Sequence, residues 1–401
     1  MASKVIPCVA GLDIGNGYVK AAVAINGGKD EKFDFPSAVA YVTNTHDIKE
    51  KNIEKCLEDF HNEMDASFDS PLVKDATRRL FGKRGLSSGS VTEEFDVYSH
   101  LSKSKQDLFA ILVLGTIAAS TLKQYYAEKK ELPTDILKVD VNIALALPII
   151  EYKKYRKECM ENFMSSTHMV MIHNFETPIR IEICFSSVGV APEGGSAHLA
   201  INYYGEPFME SLLERVRKNG QALENITAKD VLSAKNIVGI DIGEGTVNFP
   251  VFRNGEFNPD ASTTFDQGYG SVLNRALDRL QDKGLPFRSR KELADFINEK
   301  PNALTQTRWN SVMAIINEEI VAFTSEVTMQ FVKVLSRVGT YTEVVYVYGG
   351  GATPVESILY QKLLDSTKTF GGSDIGYPIL YLDSEYSRFL NREGLFVTAK
   401  M

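Results

Sequence analysis

Residues 11–27 read GLDIGNGYVKAAVAING, and residues 239–255 read GIDIGEGTVNFPVFRNG. Aligned without gaps at an offset of 228, nine of the 17 positions are identical: Gly11/Gly239, Asp13/Asp241, Ile14/Ile242, Gly15/Gly243, Gly17/Gly245, Val19/Val247, Val23/Val251, Asn26/Asn254 and Gly27/Gly255. An offset of more than half the chain points to two related domains and not to a solenoid of short repeats. Both copies have the same local reading. The apolar, β-branched runs VIPCVAGLDI and NIVGIDI predict strands. Gly-X-Gly then turns the chain, and YVKAAVAI or TVNFPVF returns as a second strand. Each copy is therefore a hairpin with an aspartate, Asp13 or Asp241, ending its first strand. A single turn of this kind would be explained by an aspartate that caps its own backbone. Two matching copies favour a shared chemical task. Glycines expose backbone N–H groups in a tight turn, forming a nest suited to phosphate oxygens. Two such turns facing each other would clamp a polyphosphate, and their aspartates would hold a divalent cation through water.

Composition narrows the classes. At 401 residues the chain has length for about two to three domains. Hydrophobic residues make up 44% and charged residues 24%, an ordinary globular balance. Its formal charge of −8 argues against wrapping nucleic acid without an intermediary. The cysteines, Cys8, Cys56, Cys159 and Cys184, include no CxxC pair, so neither a zinc knuckle nor a disulfide framework is expected. The longest uncharged stretch, Leu108–Leu122, has 15 residues and falls short of the roughly 18 to 20 a membrane span needs. The expectation is a soluble cytoplasmic protein.

Between the two hairpins, strands and helices alternate, as in α/β architecture. Strands are expected over 31–42, 138–148 and twice within 168–186, about a turn at 174–178. Helices are expected over 47–64, 104–129 and 151–164, then from Ser196 and within 206–234. The basic run RRLFGKRG, Arg78–Gly85, reads as solvated loop, with a partner contact as the alternative. After the second hairpin, helices are expected over 268–282, 289–298 and 308–337. The tail adds a strand near 378–382 and a helix near 384–390. Residues 343–359, EVVYVYGGGATPVESIL, read as strand, triple glycine and helix. No Gly-Lys-Ser/Thr follows the glycines, so this is not a P-loop, and GxGxxG is absent. What remains is a flat glycine surface for a purine or its α-phosphate.

Three motifs in this order, Asp13-x-Gly15-Asn16-Gly17-x-x-Lys20, Asp241-x-Gly243-Glu244-Gly245-Thr246 and Gly349-Gly350-Gly351-Ala352, resemble the phosphate 1, phosphate 2 and adenosine motifs of the actin and heat-shock ATPase superfamily. Within it the chain is most similar to the ParM-like plasmid-segregating actins of bacteria. FPSAVAYV after the first hairpin, ALALPIIEY at 144–152 and APEGG at 191–195 match that group's PS, LPL and PE elements.

The resemblance implies two related actin-like, ribonuclease-H-like domains flanking a nucleotide cleft. Domain I would hold 1–190 plus 375–401 and domain II 191–374, with outer subdomains at about 40–100 and 266–335. It implies that Asp13 and Asp241 hold Mg²⁺ through water and that Lys20 reaches the β- and γ-phosphates as a point charge. Gly15, Asn16, Gly17 and Tyr18, then Gly243, Glu244, Gly245 and Thr246, would line the phosphates; Gly349, Gly350, Gly351 and Ala352 would line the nucleoside. Glu193 matches the glutamate that polarises the attacking water. The sequence departs from the pattern at Asn248, where phosphate 2 often ends in Asp, and at Glu244. The implied function is a filament that polymerises with ATP or GTP and hydrolyses it, moving plasmid DNA through an adaptor bound to a centromere-like site. The alternatives are a non-polymerising assembly-factor ATPase and a small-molecule kinase of the same fold.

Overall fold

The computed structural model describes residues 5–42, 49–96, 101–218, 221, 223–338, 341–372 and 374–401. Its chain forms two units, Met1–Ala200 with Asn391–Met401, and Ile201–Leu390.

The first unit is built on one sheet. Its strands are β1 (Ile6–Ile14), β2 (Tyr18–Ile25), β3 (Glu31–Pro36), β4 (Val39–Tyr41), β5 (Asp65–Asp69), β6 (Arg79–Phe81), β7 (Thr92–Glu93), β8 (Leu137–Leu147), β9 (His168–Ile172) and β10 (Ile179–Pro192). Their spatial order is β3-β2-β1-β8-β10-β9-β5-β6-β4-β7. β1 pairs antiparallel with β2 and parallel with β8, and β8 pairs parallel with β10. Strands buried on both faces lose their polar alternation, as the ends of β1 and β8 do at Ala10–Ile14 and Ile143–Leu147. The helix Asp107–Lys129 packs on β1 and β2, and its buried residues run without a gap from Leu108 to Leu122. It is long and apolar enough to cross a membrane by composition, but here that stretch is core.

Local chemistry moves several expected boundaries. The expected helix over 47–64 becomes Ile53–Glu58 and Phe60–Glu63, broken at Asp59, whose carboxylate accepts from the Asn62 amide at 2.8 Å. Residues 43–48 lie outside the described residues. The strand expected over 31–42 divides at Ser37, whose N–H donates to the Gly17 carbonyl at 3.0 Å. The basic run is not a solvated loop. Arg79 is almost wholly buried, donates to the Thr77 carbonyl and lies 3.8 Å from the Tyr41 ring centroid. Arg78 pairs with buried Asp65, Lys83 with Asp59, and Arg84 donates to the Glu63 carbonyl. Arg79 is thus an inner part of this unit, Arg78 and Arg84 are partly covered, and Lys83 stays on the surface beside Asp59.

The second unit repeats the plan. Its strands are β11 (Ile237–Ile242), β12 (Val247–Phe249), β13 (Val251–Arg253), β14 (Glu256–Phe257), β15 (Thr263–Phe265), β16 (Val344–Tyr348) and β17 (Ile379–Tyr381). β11 pairs antiparallel with β12 and β13 on one edge and parallel with β16 on the other; β16 pairs parallel with β17. The return strand expected as TVNFPVF is cut at Pro250. Proline has no N–H for the ladder, although its carbonyl still accepts from Gly239 at 2.8 Å. The helices Tyr269–Asp282 and Gln306–Val338 put Val272, Leu280, Ile316 and Phe323 into the same core as Ile240 and Val347.

The repeat survives at its last two residues. Asn26 and Asn254 both have φ 55, and Gly27 and Gly255 have φ 68 and 82. Asn254-Gly255 is the two-residue loop between Arg253 and Glu256, the residue pair that a type I′ hairpin turn favours.

The tail divides later than expected. β17 belongs to the second sheet, so residues from 375 stay with that unit, and only Asn391–Met401 joins the first. At the other boundary β10 runs to Pro192, and the first unit continues to Ala200.

Candidate functional site

In the first unit the chemistry gathers at the carboxyl ends of the adjacent parallel strands β1, β8 and β10, the usual place for it in parallel sheets. β1 delivers Asp13, and antiparallel register sets Lys20 opposite it. Lys20 Nζ lies 3.2 Å from Asp13 Oδ2, with both side chains mostly buried. The turn closes when the Gly15 N–H donates to the Tyr18 carbonyl at 2.9 Å. A Cβ on Gly15 would stand 2.8 Å from that same carbonyl oxygen, so glycine is required. The N–H groups of Asn16 and Gly17 bond to no backbone acceptor among the described residues. The Ser37 hydroxyl, on the residue whose N–H is tied to Gly17, is buried and has no partner among the described residues.

Glu193 follows β10 directly. Its N–H extends the β8 ladder by donating to the Leu147 carbonyl at 2.7 Å, and its Oε1 lies 2.9 Å from Lys103 Nζ. Lys103 is a residue the sequence reading did not select.

In the second unit β11 delivers Asp241, opposite Asn248 in register. The Gly243 N–H donates to the Thr246 carbonyl at 2.9 Å, the same closure as Gly15 on Tyr18. The Asn248 amide oxygen accepts from the Thr264 hydroxyl at 2.7 Å, and its NH₂ lies 3.5 Å from the Thr246 hydroxyl. An aspartate there would keep the acceptor and lose the donor. Glu244 pairs with Arg290 at 2.6 Å.

The triple glycine wraps the end of β11. The Gly351 N–H donates to the Ile242 carbonyl at 2.8 Å, and Gly349, with φ 100, could not carry a Cβ, which would lie 2.6 Å from Asp241 Oδ1. Beside it the helix Tyr269–Asp282 begins on the Gly243–Thr246 turn. The Tyr269 and Gly270 N–H groups donate to the Gly243 and Glu244 carbonyls, each at 2.9 Å, and a Cβ on Gly268 would sit 2.5 Å from the Gly243 oxygen. Gly268 and Gly270 thus belong to the same junction as Gly349 and Gly351. Sequence reasoning missed them, although QGYGS at 267–271 has the glycine spacing of a helix start pressed on a loop. Ala352 is fully buried, and its carbonyl accepts from the Tyr381 hydroxyl at 2.6 Å. Burial and the nearby Asp241 carboxylate push the Tyr348 phenol well above its usual range, so it stays neutral.

The motif residues therefore assemble in two groups: Asp13, Gly15–Tyr18, Lys20 and Glu193 in one unit, and Asp241, Gly243–Thr246 and Gly349–Ala352 in the other. Among the described residues no cluster of three metal-ligating side chains occurs in either group. Single carboxylates at strand ends suit an ion that keeps its water shell.

The family follows from two domain models that between them match well over half of the chain. The model for the N-terminal domain of actin-like proteins matches residues 11–195, and the model for the C-terminal domain of the archaeal MreB-like actin homologue matches residues 239–361. The chain belongs to the actin-like superfamily. ParM from Bacillus thuringiensis, solved with ATP, is 15% identical, covers 98% of each chain and superposes with a TM-score of 0.61. The actin-like protein Alp7A is 17% identical over 99% of this chain and 96% of its own, with a TM-score of 0.62. An archaeal actin homologue is 12% identical over 99% of both chains, with a TM-score of 0.61. No curated protein matches the chain in sequence.

Proposed function

We propose that this chain binds ATP or GTP with Mg²⁺, assembles with copies of itself into a filament and hydrolyses the nucleotide as the filament ages. The observation that carries the reading is the pair of Asp-x-Gly-x-Gly turns, one in each unit, each closed by the N–H of its first glycine. That closure leaves the next two amides of each turn without a backbone acceptor among the described residues, as a phosphate nest requires. ParM of Bacillus thuringiensis has been solved with ATP and with ADP, which agrees with a nucleotide in this fold.

In this reading Asp13 and Asp241 hold Mg²⁺ through water, and the ion neutralises charge on the phosphates. Lys20 stands beside Asp13, within reach of the same phosphates. Glu193 orients the attacking water. Hydrolysis serves as a timer because triphosphate and diphosphate favour different conformations, shifting the affinity of protomer for protomer. The acidic chain would reach plasmid DNA through an adaptor and not by direct contact.

Right-angle light scattering with Mg²⁺ and ATP or GTP, followed by pelleting and phosphate assay, tests this. Scattering should rise above a critical protein concentration and decay as phosphate appears. Flat scattering with steady phosphate release would remove the filament and leave an assembly-factor ATPase or a kinase. No response in either assay would remove the nucleotide site.

A further inference from the structure

A carboxylate orients water well only when its own rotamer is fixed. Around Glu193 two of the contacts trace back to the strand-to-helix junction where β8 ends at Leu147 and the helix Ile149–Met164 begins. Leu147 holds the Glu193 backbone through the 2.7 Å hydrogen bond already described. Four residues on, Glu151 holds the segment that carries Lys103. One Glu151 oxygen accepts from the Lys103 N–H at 2.6 Å; the other accepts from the Ser104 N–H at 3.2 Å and the Ser104 hydroxyl at 2.9 Å.

Lys103 is 7% exposed, which is rare for a lysine unless its charge is paired. Its ammonium lies 2.9 Å from Glu193 Oε1 and 5.4 Å from the centroid of the Phe95 ring. The stretch ALALPIIEY at 144–152 therefore fixes both members of the pair, Glu193 through a backbone carbonyl and Lys103 through a carboxylate.

We propose that Lys103 is a positioning residue for Glu193, and that Glu151 sets Lys103 in place. The inference rests on the reading of Glu193 as the water-orienting group. Lys103 holds one carboxylate oxygen so that the side chain keeps a single orientation toward the water.

The test is steady-state phosphate release with Mg²⁺ and ATP or GTP for Lys103→Met, Lys103→Arg, Glu151→Gln, Glu193→Gln and the double variant Lys103→Met/Glu193→Gln. Lys103→Met should lower kcat by about tenfold or more, the scale of a misplaced catalytic group, with KM within about threefold. Lys103→Arg should recover most of that loss. In the Glu193→Gln background, Lys103→Met should cost nothing further, because its effect passes through the carboxylate. A KM rise at unchanged kcat, or losses that multiply in the double variant, would overturn the proposal. Should Lys103→Met fail to fold, Glu151→Gln carries the same comparison, with a smaller kcat loss that vanishes in the Glu193→Gln background. Impaired Glu193→Gln beside an unaffected Lys103→Met sinks this proposal alone. Wild-type hydrolysis by Glu193→Gln sinks it together with the reading beneath it.

Discussion

Gly349 and Gly350 are neighbours in sequence with opposite demands on the fold. Gly349 has φ 100, and an added Cβ would overlap the Ile242 carbonyl oxygen and meet Asp241 Oδ1 at 2.6 Å. The Ile242 contact is backbone and cannot swing aside, so Gly349→Ala adds left-handed strain to overpacking and should cost about 2–3 kcal/mol or more. Gly350 is exposed, and its Cβ would meet only Arg388 Cγ at 3.7 Å, so Gly350→Ala should change stability by less than about 1 kcal/mol. If the glycines present a surface to a nucleoside, that second substitution should still weaken binding of a fluorescent ATP or GTP analogue. Thermal melting plus nucleotide titration of both variants decides it, and a Gly349→Ala variant that melts like the parent would refute the packing argument. Asp13 and Asp241 stood out because the repeat aligns them, and the structure sets both at the end of the first strand of matching hairpins. Lys103 was not, because its partner Glu193 is 90 residues away and nothing in KSK marks a buried charge. The run at Arg78–Gly85 misled for the converse reason: Arg78 and Arg79 look solvated until Asp65 and the Tyr41 ring come into contact with them.

Elements dock where small residues line up across strands. Gly11 of β1, Ala144 of β8 and Gly189 of β10 occupy one row of the sheet, and the C-terminal segment lies on it. A Cβ on Gly11 would overlap the Phe396 nitrogen, and one on Gly394 would overlap the Ser196 carbonyl oxygen. Gly11→Val should therefore lift residues 391–401 off the sheet, costing on the order of 3 kcal/mol and raising amide exchange in that segment most. Unchanged exchange there would show that the row is not what seats the helix. The aligned Gly239 is small for a different reason, since its Cβ would meet the Tyr348 hydroxyl at 2.6 Å and Pro250 Cγ at 2.7 Å. The same docking explains why the helix Leu390–Lys400 was missed. NREGLFVTAK has a glycine at its middle and no clean apolar stripe, because the helix is held by close backbone approach. The hairpins were legible from strand periodicity and the glycine turns. The cut at Pro250 was visible in the sequence too, but Val251 and Phe252 continue the apolar pattern and hid it.

Across the whole molecule, titratable groups are unevenly shared. All six histidines lie within residues 1–200, and the single tryptophan, Trp309, lies in the second unit. Burial holds His61, His168 and His198 below the usual imidazole range; for His61 the charge of Lys123 adds to it, whereas for His168 the Phe163 carbonyl partly opposes it. Such groups bind fewer protons folded than unfolded. Their stability contribution is complete above the unfolded value of about 6.5 and is lost as pH falls below it, at up to about 1.4 kcal/mol per pH unit for each imidazole. Glu63 in the first unit and Glu356 in the second are both raised by burial, against the pull of Arg84 and Arg215, and act in the opposite direction. The first unit should thus weaken between pH 7 and 5.5 while the second holds. Amide exchange over the core helix Asp107–Lys129, corrected for the intrinsic rate, should report a falling opening free energy. The thermal midpoint seen by Trp309 fluorescence should stay nearly constant over the same range. Equal decline in both signals would mean that the buried imidazoles of the first unit do not set the acid limit.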